Sequence, residues 1–164
     1  MTSSLKYITA TNLLAFLPLY FSAALLPLSP ATLGASLSSP LWTYLSCHFA
    51  HASFLHFLLN AYAYLVLSLS FRPRLVLLAF ASAFLATPLS LSALPTVGLS
   101  GVIYALCGIA FAASPRQVLP YLIPLMAVNL LPSISLRMHV FSFLWAFAIY
   151  SAFYKHSFHH DRHQ

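Results

Sequence analysis

The chain has 164 residues, 61% of them hydrophobic and 5% charged, with a formal net charge of +6. A soluble domain carries about 25% charged residues, so this composition excludes an ordinary soluble fold and points to a polytopic membrane protein. The single acidic residue, Asp161, excludes paired-carboxylate catalysis, a Ser-His-Asp triad, an acidic proton relay and a carboxylate ion site.

Residues 1–6 are a short polar start ending in Lys6, and residues 7–26 read as a first apolar helix with Pro18 inside it. It lacks a convincing cleavage site, so the expectation is a retained helix and not a signal peptide. Residues 27–46 hold prolines, a glycine and many serines without any charge, together with Leu33, Leu37, Leu41, Trp42 and Tyr44. That mixture predicts a loop in the membrane interface, with Trp42 and Tyr44 at headgroup depth. A second helix is expected over 49–70, stopping at Phe71-Arg72-Pro73-Arg74, and a third over 75–91. A connection at 92–98 leads to a short fourth helix, 99–113, and Ser114-Pro115-Arg116-Gln117 reads as a turn. The fifth helix is expected over 118–131 and the sixth over 138–154, joined by a tight loop at 132–137. Residues 1–155 then form one six-helix domain, and 156–164 a polar tail rich in histidine.

An even number of spans puts both termini on one side. Lys6, Arg72, Arg74, Arg116, Lys155 and Arg162 then share a side and Arg137 stands alone on the other. That bias makes the shared side cytoplasmic. The basic residues are scattered singly between apolar segments, which argues for a topology signal and against nucleic acid as a partner. In this topology the second, fourth and sixth helices run in one direction. Asn60, Ser100 and His139 all fall early in those helices, at similar depth.

Three of the four glycines lie between Gly98 and Gly108, and Gly98-Leu99-Ser100-Gly101 encloses a serine. Gly98 and Gly101 leave room for close approach by another backbone. Ser100 and Tyr104 are four apart and share a helix face, as do His56 and Asn60. A polar pair in a membrane helix faces the bundle, where it either ties helices together or serves as a donor pair for an oxyanion. His139 reads either as an interfacial histidine beside Arg137 or as a general base for a serine. Ser142 and Ala146 follow it on one small-residue face, suited to close packing on the fourth helix. His48, His51 and His56 raise the thought of a metal site, but no cysteine or carboxylate completes a ligand set in an obvious way, and no metal is assigned. His156, His159, His160 and His163 read as a solvated tail. Cys47 and Cys107 read as small buried hydrophobes, not as a disulfide.

The combination of Gly98-Leu99-Ser100-Gly101 with Tyr104, the run from His51 through His56 to Asn60, and the later His139 resembles the rhomboid intramembrane serine proteases. The resemblance covers residues 5 to 155. It implies an all-α, six-helix rhomboid-like bundle without cofactors, acting on transmembrane protein substrates within the lipid bilayer. By resemblance Ser100 is the nucleophile and His139 its base. His56, Asn60 and the Ser100 N–H form the oxyanion hole, Tyr104 orients His139, and His51 is structural. Three features depart from the family: Ser142 and Ala146 stand where glycines are frequent, Trp42 is followed by Thr43 and not by arginine, and the loop before the sixth helix is short. A prokaryotic inner membrane fits so compact a chain. A catalytically inactive member that binds or escorts membrane helices is the alternative. A histidine-dependent transporter or metal carrier ranks third.

Overall fold

The computed structural model describes residues 2–127 and 135–154. Among them are six longer helices, α1 (Thr2–Leu25), α4 (Phe54–Ser70), α5 (Pro73–Ser90), α6 (Ser100–Ala113), α7 (Pro115–Ala127) and α8 (Leu136–Phe153). Two single-turn helices, α2 (Pro30–Leu33) and α3 (Thr43–Ser46), sit in the long segment after α1. Two of these helices, α5 and α8, are long and apolar enough to cross a membrane by length and composition; Asn12–Leu25, α4 and α6 are apolar but shorter.

The boundaries differ from the sequence reading in informative ways. The second long helix begins at Phe54 and not at 49, because Ser53 adopts an extended backbone and its hydroxyl accepts from the His56 N–H. That N-cap leaves His51 outside the helix, in the preceding loop with His48. The first helix starts at Thr2, five residues earlier than expected, since nothing from Thr2 to Leu17 breaks a helix. The turn expected at 114–117 contracts to Ser114, because Pro115 begins α7; proline suits a first helical position, where its missing N–H is no loss. The expected end of the fifth helix at 131, the first half of the 132–137 loop and the tail at 156–164 lie outside the described residues.

α6 is the centre of the bundle. Its residues from Gly101 through Ile109 are all buried, as is Ala112, and an apolar helix covered on every side belongs in a core. Its largest interface is with α8. Contacts ascend together along the two helices, from Ser100 with His139 to Phe111 with Phe143 and Phe147, so α6 and α8 run parallel. α5 runs against them. Its last residue, Ser90, meets Met138, while Arg74, near its start, lies 5.8 Å from the ring centroid of Tyr154. The small-residue face expected on the sixth helix is where α8 packs: Ser142 and Ala146 are fully buried, and Ser142 faces Gly101 of α6. A Cβ on Gly108 would overlap the carbonyl of Phe143, so this glycine is where the two backbones come closest. Cys47 and Cys107 are free and buried.

The long segment after α1 is ordered by serine and threonine hydroxyls. Ser39 Oγ accepts from the Ser36 N–H at 2.7 Å and lies 2.9 Å from Thr43 Oγ1, and Thr43 Oγ1 donates to the Pro40 carbonyl at 2.6 Å. Such local side-chain bonds satisfy a backbone that has no helix or sheet to do so.

Proline 18 of α1 lacks the N–H that would bond the Leu14 carbonyl. Tyr64 of α4, wholly buried, donates its hydroxyl to that carbonyl at 2.5 Å. A helix defect is thus converted into an interhelical tie. Tyr64→Phe is expected to destabilise the fold by about 1–3 kcal/mol, the cost of a buried carbonyl left without a donor. In a Pro18→Ala background, where the residue-18 N–H returns, the same change should cost almost nothing. Unfolding titrations of the four proteins in detergent measure this; equal costs in both backgrounds would refute the account.

Candidate functional site

The site forms where three segments meet: the start of α4, the start of α8, and the stretch leading into α6. That stretch is held from outside itself. Ala35 and Thr96 form an antiparallel bridge, with Ala35 N–H to Thr96 carbonyl at 3.1 Å and Thr96 N–H to Ala35 carbonyl at 2.8 Å. The Leu37 N–H adds a bond to Ser92, and the Gly98 N–H donates to the Cys47 carbonyl at 2.8 Å. A Cβ on Gly34 would strike Pro95 and Val97, so the fourth glycine of the chain lets the long loop press against this connection.

Gly98 itself has φ +119°, a conformation L side chains rarely adopt. The helix then begins at Ser100, after a cap residue, Leu99, that offers no side-chain bond. The first N–H groups of a helix have no partner within it, so the Ser100 N–H is directed out of the helix start. Ser100 Oγ lies 2.7 Å from His139 Nε2. His139 is buried, and its ring stacks on Tyr104 with centroids 4.2 Å apart and planes 8° from parallel. Tyr104 and Ser100 therefore share the α6 face that meets His139, as their spacing predicted.

His56 approaches from α4. The point where a Gly98 Cβ would sit is 3.0 Å from His56 Nε2 and 3.7 Å from Ser100 Oγ, so the space left by that missing Cβ is bounded by both groups. The Ala52 N–H donates to His56 Nδ1 at 3.3 Å. With Nδ1 accepting, the neutral ring carries its hydrogen on Nε2, on the side of Gly98 and Ser100. Asn60 is buried, and its Nδ2 donates to the His56 carbonyl one turn earlier at 2.9 Å. A carboxamide has two N–H groups, so this bond fixes the side chain and leaves a second donor. Gly101 faces α8 and not a bare backbone: a Cβ there would lie 2.9 Å from Met138 Cε.

Two further described histidines, His48 and His51, lie in the loop before α4. His51 Nδ1 donates to the Phe49 carbonyl at 3.1 Å, and its ring sits edge-on to His56 at 5.2 Å and to Phe57 at 5.4 Å. His48 is completely buried. Its Nε2 donates to Thr87 Oγ1 at 3.0 Å, since the threonine hydrogen is spent on the Ala83 carbonyl. Burial pushes the His48 imidazole down to about 3. Burial, followed by the neighbouring His56, pushes His51 down to about 4. Burial also raises the Cys47 thiol to about 12, so it stays protonated.

Sequence reasoning did not single out Ser53, whose cap places His56 in the first turn of α4, nor Gly34. Ser53 was legible as a serine three residues before His56 at the head of an apolar run. The Ala35–Thr96 bridge had no signal, because it is made by backbone atoms alone.

A membrane-associated bundle of helices that closes a serine–histidine pair between parallel helices, with a second histidine beside it, defines a narrow class. The chain belongs to the rhomboid family: the Rhomboid domain model matches residues 38–157. No curated protein matches the chain.

Two predictions follow from the geometry. Gly98→Ala combines a disfavoured backbone with a methyl group pressed on the His56 ring, and it should lower both thermal stability and reactivity of Ser100 toward a serine-directed fluorophosphonate. For His48 and His51, the unfolded chain binds protons below about 6.5 while the folded rings resist until about 3 and 4. The unfolded state then holds more protons, so their contribution is complete above pH 6.5 and is lost as pH falls from there toward 4. Unfolding measured across that window should show stability falling with acid, and His48→Gln, which keeps a donor for Thr87, should flatten the slope.

Proposed function

We propose that the chain is an intramembrane serine endopeptidase that cleaves transmembrane segments of other membrane proteins through Ser100 and His139. The observation that carries this reading is the 2.7 Å contact between Ser100 Oγ and His139 Nε2. A serine hydroxyl is a poor nucleophile until a base takes its proton, and this contact supplies the base. In the reaction Ser100 Oγ attacks the scissile carbonyl carbon and its proton passes to His139 Nε2. The tetrahedral oxyanion accepts hydrogen bonds from the Ser100 N–H, from His56 Nε2–H and from the second Asn60 N–H. Each such preorganised donor is worth about 2.7–4 kcal/mol. His139 then protonates the departing amine, the C–N bond breaks, and an acyl-enzyme remains on Ser100. Water, deprotonated by His139, releases the acid and regenerates the serine.

None of the described residues is acidic, so no carboxylate among them supports the imidazolium that forms. The parallel face of Tyr104 takes that place, since an aromatic face attracts a cation by about 0.5–2 kcal/mol. Gly98 keeps the space between His56 and Ser100 open.

The six longer helices read as six spans of one domain over residues 1–155, with a polar tail at 156–164. The parallel course of α6 and α8 and the opposed course of α5 support a serpentine path of this kind. With the basic residues on the cytoplasmic side, the site lies in the outer half of a prokaryotic inner membrane. Substrates are transmembrane helices that unwind there and present a small residue before the cut.

Cleavage of a labelled model transmembrane substrate in liposomes tests the reading. Ser100→Ala and His139→Ala should each reduce cleavage by about 10³-fold or more, and His56→Ala by about 10²–10³-fold. Tyr104→Phe, which keeps the ring face, should retain most of it. Cleavage that survives in Ser100→Ala would assign the activity to another nucleophile. Failure of the folded intact protein on several substrates would favour a chain that binds membrane helices without cutting them.

A further inference from the structure

Directly behind the Ser100–His139 pair, one residue along each helix, lies a second contact that the proposed chemistry does not use. Met138 precedes His139 on α8, and Gly101 follows Ser100 on α6. Met138 is 2% exposed. A Cβ on Gly101 would lie 2.9 Å from Met138 Cε and 3.4 Å from its Cγ, so the thioether lies flat across the hollow that the glycine leaves. The sulfur is touched from a third helix: Ser90 Oγ, on the last residue of α5, packs 3.3 Å from Met138 Sδ while its hydrogen goes to the Thr87 carbonyl at 2.9 Å. Ser90 is itself buried. Three helices therefore meet at one side chain, level with the pair.

We infer that Met138 is a positioning residue for the Ser100–His139 contact: seated on Gly101 and packed against Ser90, it fixes the height and rotation at which α8 presents His139 to Ser100. The inference rests on the reading of Ser100 and His139 as a working pair. Its physical basis is the adjacency. Neighbouring residues on a helix move as one body, so a displacement of Met138 is a displacement of His139. Further along α8 the packing is set by Ser142, Ala146 and the Phe143 carbonyl over Gly108, which fix the distance between the helices but leave the first turn of α8 dependent on Met138. Replacing Met138 by alanine empties the hollow over Gly101, and α8 is free to settle differently at the end that carries His139. Leucine is a volume-conserving exchange for methionine, so it refills the hollow without the sulfur contact.

Two readouts on the full chain in bicelles test this. The first is the second-order rate of Ser100 labelling by a fluorophosphonate, measured well below each variant's unfolding temperature. A misplacement near 1 Å can cost about 10²-fold, so Met138→Ala should slow labelling by about tenfold or more, with Met138→Leu recovering most of the rate. The second does not require catalysis. The ¹⁵N resonance of His139 Nε2 should move on Ser100→Ala in the otherwise unaltered protein, because the 2.7 Å contact is lost. In a Met138→Ala background that movement should shrink, and in Met138→Leu it should persist. An equal movement in all three backgrounds overturns the inference, whatever the labelling rates. If the unaltered protein is not labelled at all, the protease reading fails, while the resonance measurement still decides whether Met138 sets the contact.

Discussion

The fold depends on how closely α6 can lie against α8. The limiting point is Gly108, where any side chain would run into the Phe143 carbonyl. With surrounding lipid as apolar as the side chains, association relies on packing and on hydrogen bonds. A glycine facing a backbone carbonyl, with Gly101, Ser142 and Ala146 on the same seam, supplies the packing. The placement of Ser100 beside His139 follows, since both lie at the end of this seam.

The second constraint is the one that aims Gly98 and Ser100. A segment with positive φ before a helix start is not held by the helix that follows. Here it is held by the long loop after α1, through Ala35, Leu37 and Cys47. That loop is in turn tied to α5 by His48 on Thr87, and to α4 by the contact of His51 with His56. A neutral, buried His48 suits this role better than a charged residue would, because its one donor is used on Thr87 and only the weaker cost of an unpartnered Nδ1 acceptor remains. The serines that made the loop look irregular in the sequence form its internal hydrogen bonds.

What the sequence made legible divides along a physical line. Side-chain chemistry at helical spacing was readable: Ser100 with Tyr104, His56 with Asn60, and the small face of Ser142 and Ala146 all fall where periodicity placed them. Placement that depends on backbone atoms was not. The start of α4 was read five residues early, because Phe49 and Ala50 continue the apolar pattern and the deciding feature is the extended backbone of Ser53. The bridge between Ala35 and Thr96 uses no side chain and left no trace. Gly108 was visible as a glycine, but the seven-residue interval from Gly101, which puts both on the α8 side, gains meaning only once α8 is known to run parallel. Met138 looked like one more apolar residue beside a histidine.

The parallel pairing of α6 with α8 also bears on how the protein is made. Parallel neighbours in a serpentine chain are separated by an intervening helix, and Ser100 and His139 are 39 residues apart. A growing chain made as far as α6 already carries Ser100, His56 and Gly98 but lacks α8, which covers the face of α6 in its largest interface. The site comes into being only when α8 arrives and covers that face. The contact between Ser100 and His139 therefore forms in the same step that gives the bundle its largest interface.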